Sequence, residues 1–150
     1  MNTRTVPGWD AYYLNLAEAA KLRSKDPITQ VGAVIVNADN RIVSLGYNGM
    51  PQGADEYDLW DNKDEYVLHA EVNALANAAR NGTSVLGGTL YVTLTPCIGC
   101  ARSIIAAGIE HVVVSLDNHN NRCWLRPQFE QSSRDALEFM LLSGVTWSMT

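Results

Sequence analysis

Thr89-Leu90-Tyr91-Val92-Thr93, then Pro96 to Gly108, then His111-Val112-Val113-Val114-Ser115-Leu116 follow one another closely along the chain. The first and last are short runs rich in β-branched residues, which read as strands. Between them, Cys97 to Ala107 reads as a helix closed by Gly108. A strand, a helix and a strand in this order make a crossover between parallel neighbours. Working outward, Val31–Val36 and Arg41–Tyr47 read as strands joined by the polar turn Asn37-Ala38-Asp39-Asn40, a hairpin. Trp9 to Ser24 carries apolar residues at a helical period, and Asp26-Pro27 breaks it, because the residue before proline avoids the helical region. Asn48 to Asp64 reads as a long loop, Leu68 to Arg80 as a helix stopped by Asn81-Gly82, and Glu130 to Leu142 as a last helix ended by Gly144. Val145-Thr146-Trp147 can add an edge strand. A hairpin followed by such crossovers predicts an α/β fold, a mixed sheet with helices on its faces.

The 150 residues contain no repeat and no linker-like run, so one domain over 1–150 is expected. A hydrophobic content of 47% with 18% charged residues describes a soluble globular chain. No apolar run is long enough to cross a membrane, and the first residues lack the apolar core of a secretion signal. The net charge of −5 disfavours polymeric nucleic acid as a partner but leaves room for a mononucleotide held by a few local cations. Three cysteines, two of them in Cys97-x-x-Cys100, are not a disulfide framework, and a cytoplasmic location fits better. Cys123 is left over and reads as a small, partly buried side chain.

The chemistry lies in His69-Ala70-Glu71 and Pro96-Cys97-Ile98-Gly99-Cys100. One imidazole and two thiols suit zinc, and three protein ligands leave a fourth position open, as catalytic sites do. Pro96 suits the first turn of a helix, since it has no N–H to leave unpaired. Cys97 and Cys100 then share one helical face, at a helix N-terminus that favours thiolates. Residues two apart do not share a face in mid-helix, so His69 and Glu71 converge only at a helix end. Glu71 would take a proton from the attacking water and return it to the ring nitrogen and the departing amine, with its pKa raised by burial. H-x-E…P-C-x-x-C is the signature of zinc nucleobase deaminases. Two other readings stay open: a redox CxxC, and a structural zinc closed by Cys123, His111 or His119.

Further residues qualify for the substrate. The Asn48 amide offers donor and acceptor to a base or deoxyribose, though a turn residue would look the same. Gly49 and Gly53 let backbone N–H groups approach a phosphate. Arg122 and Arg126, with Ser24 and Lys25 opposite, are candidates for a monophosphate. Trp9, Trp60, Trp124 and Trp147 fit an interface or the core equally well.

Ser24-Lys25-Asp26-Pro27, Thr29-Gln30-Val31-Gly32-Ala33, Gly46 to Gly53 and Tyr66 to Ala74 resemble deoxycytidylate (dCMP) deaminases, from about Trp9 to Leu116. The resemblance implies a three-layer α/β/α fold with a five-stranded mixed sheet. It implies His69, Cys97 and Cys100 on Zn²⁺, Glu71 as proton shuttle, and conversion of dCMP to dUMP. It also implies a homohexamer, activated by dCTP and inhibited by dTTP with Mg²⁺, at a site around the loop that holds Gly46, Asn48, Gly49 and Gly53. After Ser115 the chain departs from the family pattern, reading Leu116-Asp117-Asn118-His119-Asn120-Asn121-Arg122 where Tyr or Lys is usual. A deaminase of another small nucleobase, of a nucleoside or of dCTP, and a catalytically silent nucleotide-sensing subunit with structural zinc, are the alternatives.

Overall fold

The computed structural model of the chain describes residues 3–54, 59–116 and 127–150, the side chains of 127–129 excepted. Five strands, β1 (Gly32–Val36), β2 (Ile42–Tyr47), β3 (Thr89–Val92), β4 (His111–Val114) and β5 (Thr146–Met149), form one sheet in the order β2-β1-β3-β4-β5. β1 runs antiparallel to both β2 and β3, whereas β3, β4 and β5 are mutually parallel. The sheet is therefore mixed, and the hairpin and crossovers expected from the sequence are present. The edge strand is Thr146–Met149, one residue later than its expected start.

The helices are α1 (Trp9–Lys21), α2 (Lys63–Tyr66), α3 (Ala70–Arg80), α4 (Ile98–Ala106) and α5 (Pro127–Leu142). Alternation along β1 separates the two faces, as the period of two requires. Val34 and Val36 pack with Tyr13, Leu14 and Ala17 of α1 and with Tyr91 and Val113. Ala33 and Ile35 point the other way, toward Ala70 and Ala74 of α3, Cys100 and Ile104 of α4, and Ala136 and Met140 of α5. Every residue of β1 is buried, as a strand covered on both faces must be. The result is the three-layer α/β/α arrangement.

Other element bounds shift as well, and α3 begins at Ala70 rather than Leu68 because His69 is its extended N-cap. α1 ends at Lys21 rather than Ser24, because a turn closes it before Asp26-Pro27. The expected loop from Asn48 to Asp64 contains a 3₁₀ turn at Trp60–Asn62 and the start of α2. α5 begins at Pro127, not Glu130, consistent with proline's fitness for a first helical turn.

α3 lies against β2 at close range. A Cβ on Gly46 would stand 2.4 Å from the Ala74 backbone nitrogen and 2.6 Å from the Ala70 carbonyl oxygen, so only glycine admits the helix here. Side chains fix the register: Asn73 Nδ2 donates to the Tyr47 carbonyl at 2.8 Å, Asn77 Nδ2 to the Leu45 carbonyl at 2.9 Å, and Ser44 Oγ to the Ala74 carbonyl at 2.7 Å.

Candidate active site

Two helix N-termini meet at the site. His69 is the N-cap of α3 with extended backbone (φ −67°, ψ 154°), and Cys97 is the N-cap of α4, likewise extended (φ −80°, ψ 170°). Because both stand just outside their helices, their side chains are free of the helical repeat and can turn toward each other. Pro96 therefore precedes the cap and does not occupy the first helical turn; the offset is one residue of helix start. Cys100 sits within the first turn of α4, buried at the foot of the pocket.

His69 Nδ1 lies 3.5 Å from the Cys97 sulfur and 3.3 Å from the Cys100 sulfur. Ligand atoms of the three residues all fall within 4.8 Å of one another. One imidazole nitrogen and two sulfurs at this separation fit a zinc ion as a three-ligand set. Left to themselves, these groups share protons. A hydrogen bond from Cys100, with help from His69, pulls the Cys97 thiol down to about 3. The hydrogen bond to Cys97 pushes His69 up to about 9, against the opposing effect of burial. Cys100 is held protonated by its bond to Cys97 and by burial.

Glu71 is in the first turn of α3 and only 4% exposed. Burial raises its pKa, and the neighbouring His69 opposes the rise. A buried carboxyl of this kind holds a proton more readily than one in water. A pocket beside it is lined by Val67, Leu68, His69, Val72, Cys97, Gly99 and Cys100, largely apolar walls around the three ligand atoms. The four residues expected from the motif are thus brought to one place.

The other expected residues are distributed differently. Asn48 is 7% exposed, and its amide is engaged at both ends. Its Oδ1 accepts the Val31 N–H at 2.8 Å, and its Nδ2 donates to the Thr29 carbonyl at 2.8 Å and to Asp26 Oδ2 at 3.4 Å. It anchors the 26–31 segment, with one acceptor lone pair left over. Ser24 Oγ donates to the Asn48 carbonyl at 2.8 Å and accepts the Asp26 N–H at 3.3 Å. Gly49 pairs with Leu68 through reciprocal backbone bonds of 3.1 and 2.9 Å, tying the loop to the residue before His69. Gly53 turns the chain in the left-handed region (φ 95°) with open space around it. Arg122, Arg126, Cys123, His119 and Trp124 lie outside the described residues. His111 is not near the sulfurs in sequence or register; its ring nitrogens face Thr146 Oγ1 at 2.6 Å and Ser148 Oγ at 3.2 Å on β5. Trp9 is 58% exposed, which removes it from the core.

Sequence reasoning missed a second pocket, lined by Arg23, Lys25, Tyr47, Gly49 and Trp60. Lys63 reaches the buried Asp26 carboxylate. Asp26 before Pro27 is visible in a sequence as a turn former, and it accepts the Ile28 and Thr29 N–H groups at 2.8 and 3.0 Å. Lys63 carries no comparable signal. Among the described residues no helix is long and apolar enough to cross a membrane.

Comparison with known proteins agrees with this geometry. Residues 7–116 match the family described as "Cytidine and deoxycytidylate deaminase zinc-binding region". A deoxycytidylate deaminase of Pongo abelii is 45% identical over 122 residues, covering 75% of this chain and 67% of the relative. One of Mus musculus is 41% identical over 148 residues, covering 93% of this chain and 78% of its own. The crystal structure of a cyanophage S-TIM5 dCMP deaminase in complex with dCMP and dUMP superposes with a TM-score of 0.74 at 27% identity, covering 98% of this chain and 100% of that one. With His69, Cys97, Cys100 and the buried Glu71 all inside the matched region, the chain belongs to the cytidine and deoxycytidylate deaminase family, a family of hydrolases.

Proposed function

We propose that the protein hydrolyses dCMP to dUMP and ammonia, with His69, Cys97 and Cys100 holding Zn²⁺ and Glu71 moving the protons. The observation that carries this reading is the His69 imidazole between two sulfurs at 3.3 and 3.5 Å, with a buried carboxyl two residues on. Zinc, when bound, supplies Lewis acidity that makes water a nucleophile at neutral pH. Glu71 accepts the proton of the attacking water as oxygen bonds to C4 of the pyrimidine. The same carboxyl gives that proton to N3, then carries the second proton to the exocyclic nitrogen as the C4–N4 bond breaks. Its burial supports the role, because a carboxyl with raised pKa serves as base and acid in turn. The apolar walls formed by Val67, Leu68 and Val72 are suited to packing against a flat base.

The choice of dCMP is supported by the relatives' names and by the nucleotides in the cyanophage complex. On this reading Asn48 and Ser24 shape the loop against the deoxyribose, and Arg122 and Arg126 contact the phosphate. Activation by dCTP, inhibition by dTTP with Mg²⁺ and assembly as a homohexamer belong to the same proposal. Support for an effector site is the pocket at Gly49, where Arg23 and Lys25 stand with the rings of Tyr47 and Trp60. The space is water-sized, about 30 Å³, so these residues support the reading by their chemistry alone.

The test is a substrate panel on zinc-loaded protein, comparing dCMP, deoxycytidine, dCTP and guanine, each with and without dCTP or dTTP and Mg²⁺. Preferred turnover of dCMP, raised by dCTP and lowered by dTTP, is expected. Preference for a substrate without phosphate would overturn the dCMP assignment, and indifference to both effectors would overturn the regulatory one.

A further inference from the structure

We propose that Ser132 on α5 is a positioning residue for the zinc-binding turn, accepting the first backbone N–H of α4. A helix N-cap ordinarily uses its own side chain to accept a backbone N–H of the first turn, and Ser, Thr, Asp and Asn are preferred there for that reason. At α4 the N-cap is Cys97, and its side chain makes no cap hydrogen bond. Its sulfur is turned instead toward His69 Nδ1, at 3.5 Å. The first turn of α4 would be left with unanswered donors beside the metal ligands. One of them is answered from another helix: the Ile98 N–H donates to Ser132 Oγ at 3.1 Å across 34 residues of chain.

The oxygen is well placed to do this because α5 is firmly seated. Ser133, Ala136 and Met140 are 3%, 0% and 0% exposed. Ala136 and Met140 share one apolar cluster with Cys100, Ala101 and Ile104 of α4. Ser132 thus sits on a helix packed against the one whose first N–H it accepts. Ile98 directly follows Cys97, so the bond fixes the peptide between ligand and helix and with it the direction of the Cys97 side chain. The bond from α5 holds the turn that presents Cys97 without engaging the sulfur itself. Partners outside the ligand shell that hold ligands in place are worth roughly 10- to 100-fold in metal affinity.

The inference rests on the zinc reading, and the experiment separates the two. Zinc affinity of the full-length protein is measured by competition with a chromophoric chelator, with thermal unfolding followed in parallel. Wild type, Ser132→Ala, Ser132→Thr and Tyr91→Phe are compared. Tyr91→Phe removes a bond to Asp10 on the α1 face and serves as a destabilised control remote from α4. Stoichiometric zinc in the wild type is required by the zinc reading, and its absence would overturn that reading. Ser132→Ala should bind zinc about tenfold more weakly, Ser132→Thr close to wild type, and Tyr91→Phe unchanged. Wild-type affinity in Ser132→Ala, or an equal loss in Tyr91→Phe, would overturn the positioning role.

Discussion

Lys63 Nζ stands 3.0 Å from Oδ1 and 2.9 Å from Oδ2 of Asp26, a residue 37 positions earlier in the chain. The Asp26 side chain is nearly buried and that of Lys63 about three-quarters so, at 4% and 27% exposure. Lys63 opens α2, and its carbonyl accepts the Val67 N–H at 2.8 Å. Leu68 then pairs with Gly49, and His69 follows. The ion pair therefore pins the segment that delivers the imidazole to the segment that Asn48 anchors.

Removing Lys63 strands a buried carboxylate. Lys63→Met should destabilise by about 2 kcal/mol, below the 3–5 kcal/mol of fully buried pairs because the Lys63 side chain keeps some solvent. Burial alone would raise the Asp26 pKa, but Lys63 and the Thr29 and Ile28 N–H groups hold it below the ordinary carboxylate range. A carboxylate depressed on folding contributes stability that is present above its unfolded pKa, about 3.9, and is lost as pH falls through its folded value. Asp26→Asn should therefore lower stability at neutral pH and flatten its decline below about pH 4. Urea unfolding from pH 3 to 7 checks this; parallel pH profiles for the two proteins would contradict it.

Asn48 has three hydrogen-bonding contacts with the segment from Asp26 to Val31, all part-buried or buried. Asn48→Ala leaves the Val31 N–H without its partner and should cost about 1–3 kcal/mol. A melting temperature within a degree of wild type would contradict this anchoring role.

Gly46 in β2 and Gly53 in the loop beyond it separate by packing. Gly46→Ala drives a Cβ into the backbone of α3 and should destabilise by about 3 kcal/mol, the upper end for overpacking. Gly53→Ala meets no neighbour and incurs only the left-handed strain, about 1–2 kcal/mol. Equal losses from the two substitutions, measured by denaturant midpoint, would contradict the close approach of α3.

On the proposed reading zinc is held by the folded site, where His69, Cys97 and Cys100 converge, and far less by the unfolded chain. At free zinc 100-fold above its dissociation constant, binding should stabilise by about 2.7 kcal/mol. Chelation should lower the melting temperature of the wild type and leave Cys100→Ala unmoved. An equal response from both proteins would remove Cys100 from the metal site.

The site was legible where its signals are local. His-x-Glu and Cys-x-x-Cys each sit at one helix start, and a helix start is written in the few residues around it. The crossover from β3 through α4 to β4 follows from adjacent runs, so the meeting of sheet and helix was legible too. Pairings between distant segments were not. Lys63 with Asp26, and Ser132 with Ile98, leave no periodicity or spacing in the sequence. Asn48 shows the limit from the other side: an amide suited to a substrate is equally suited to a peptide segment, and here the chain itself uses most of its hydrogen-bonding capacity. The loop expected from Asn48 to Asp64 runs into α2 because four residues between turns are too few to show a helical period.

Conversion of dCMP to dUMP by zinc-loaded wild type and by Glu71→Gln, followed by ultraviolet absorbance with zinc stoichiometry measured on the same samples, tests the account most directly. Full zinc in both proteins, with turnover reduced about 10²- to 10⁴-fold in Glu71→Gln, is the predicted result. Comparable turnover in the two proteins at equal zinc content would contradict the assignment of Glu71 as the group that moves the protons.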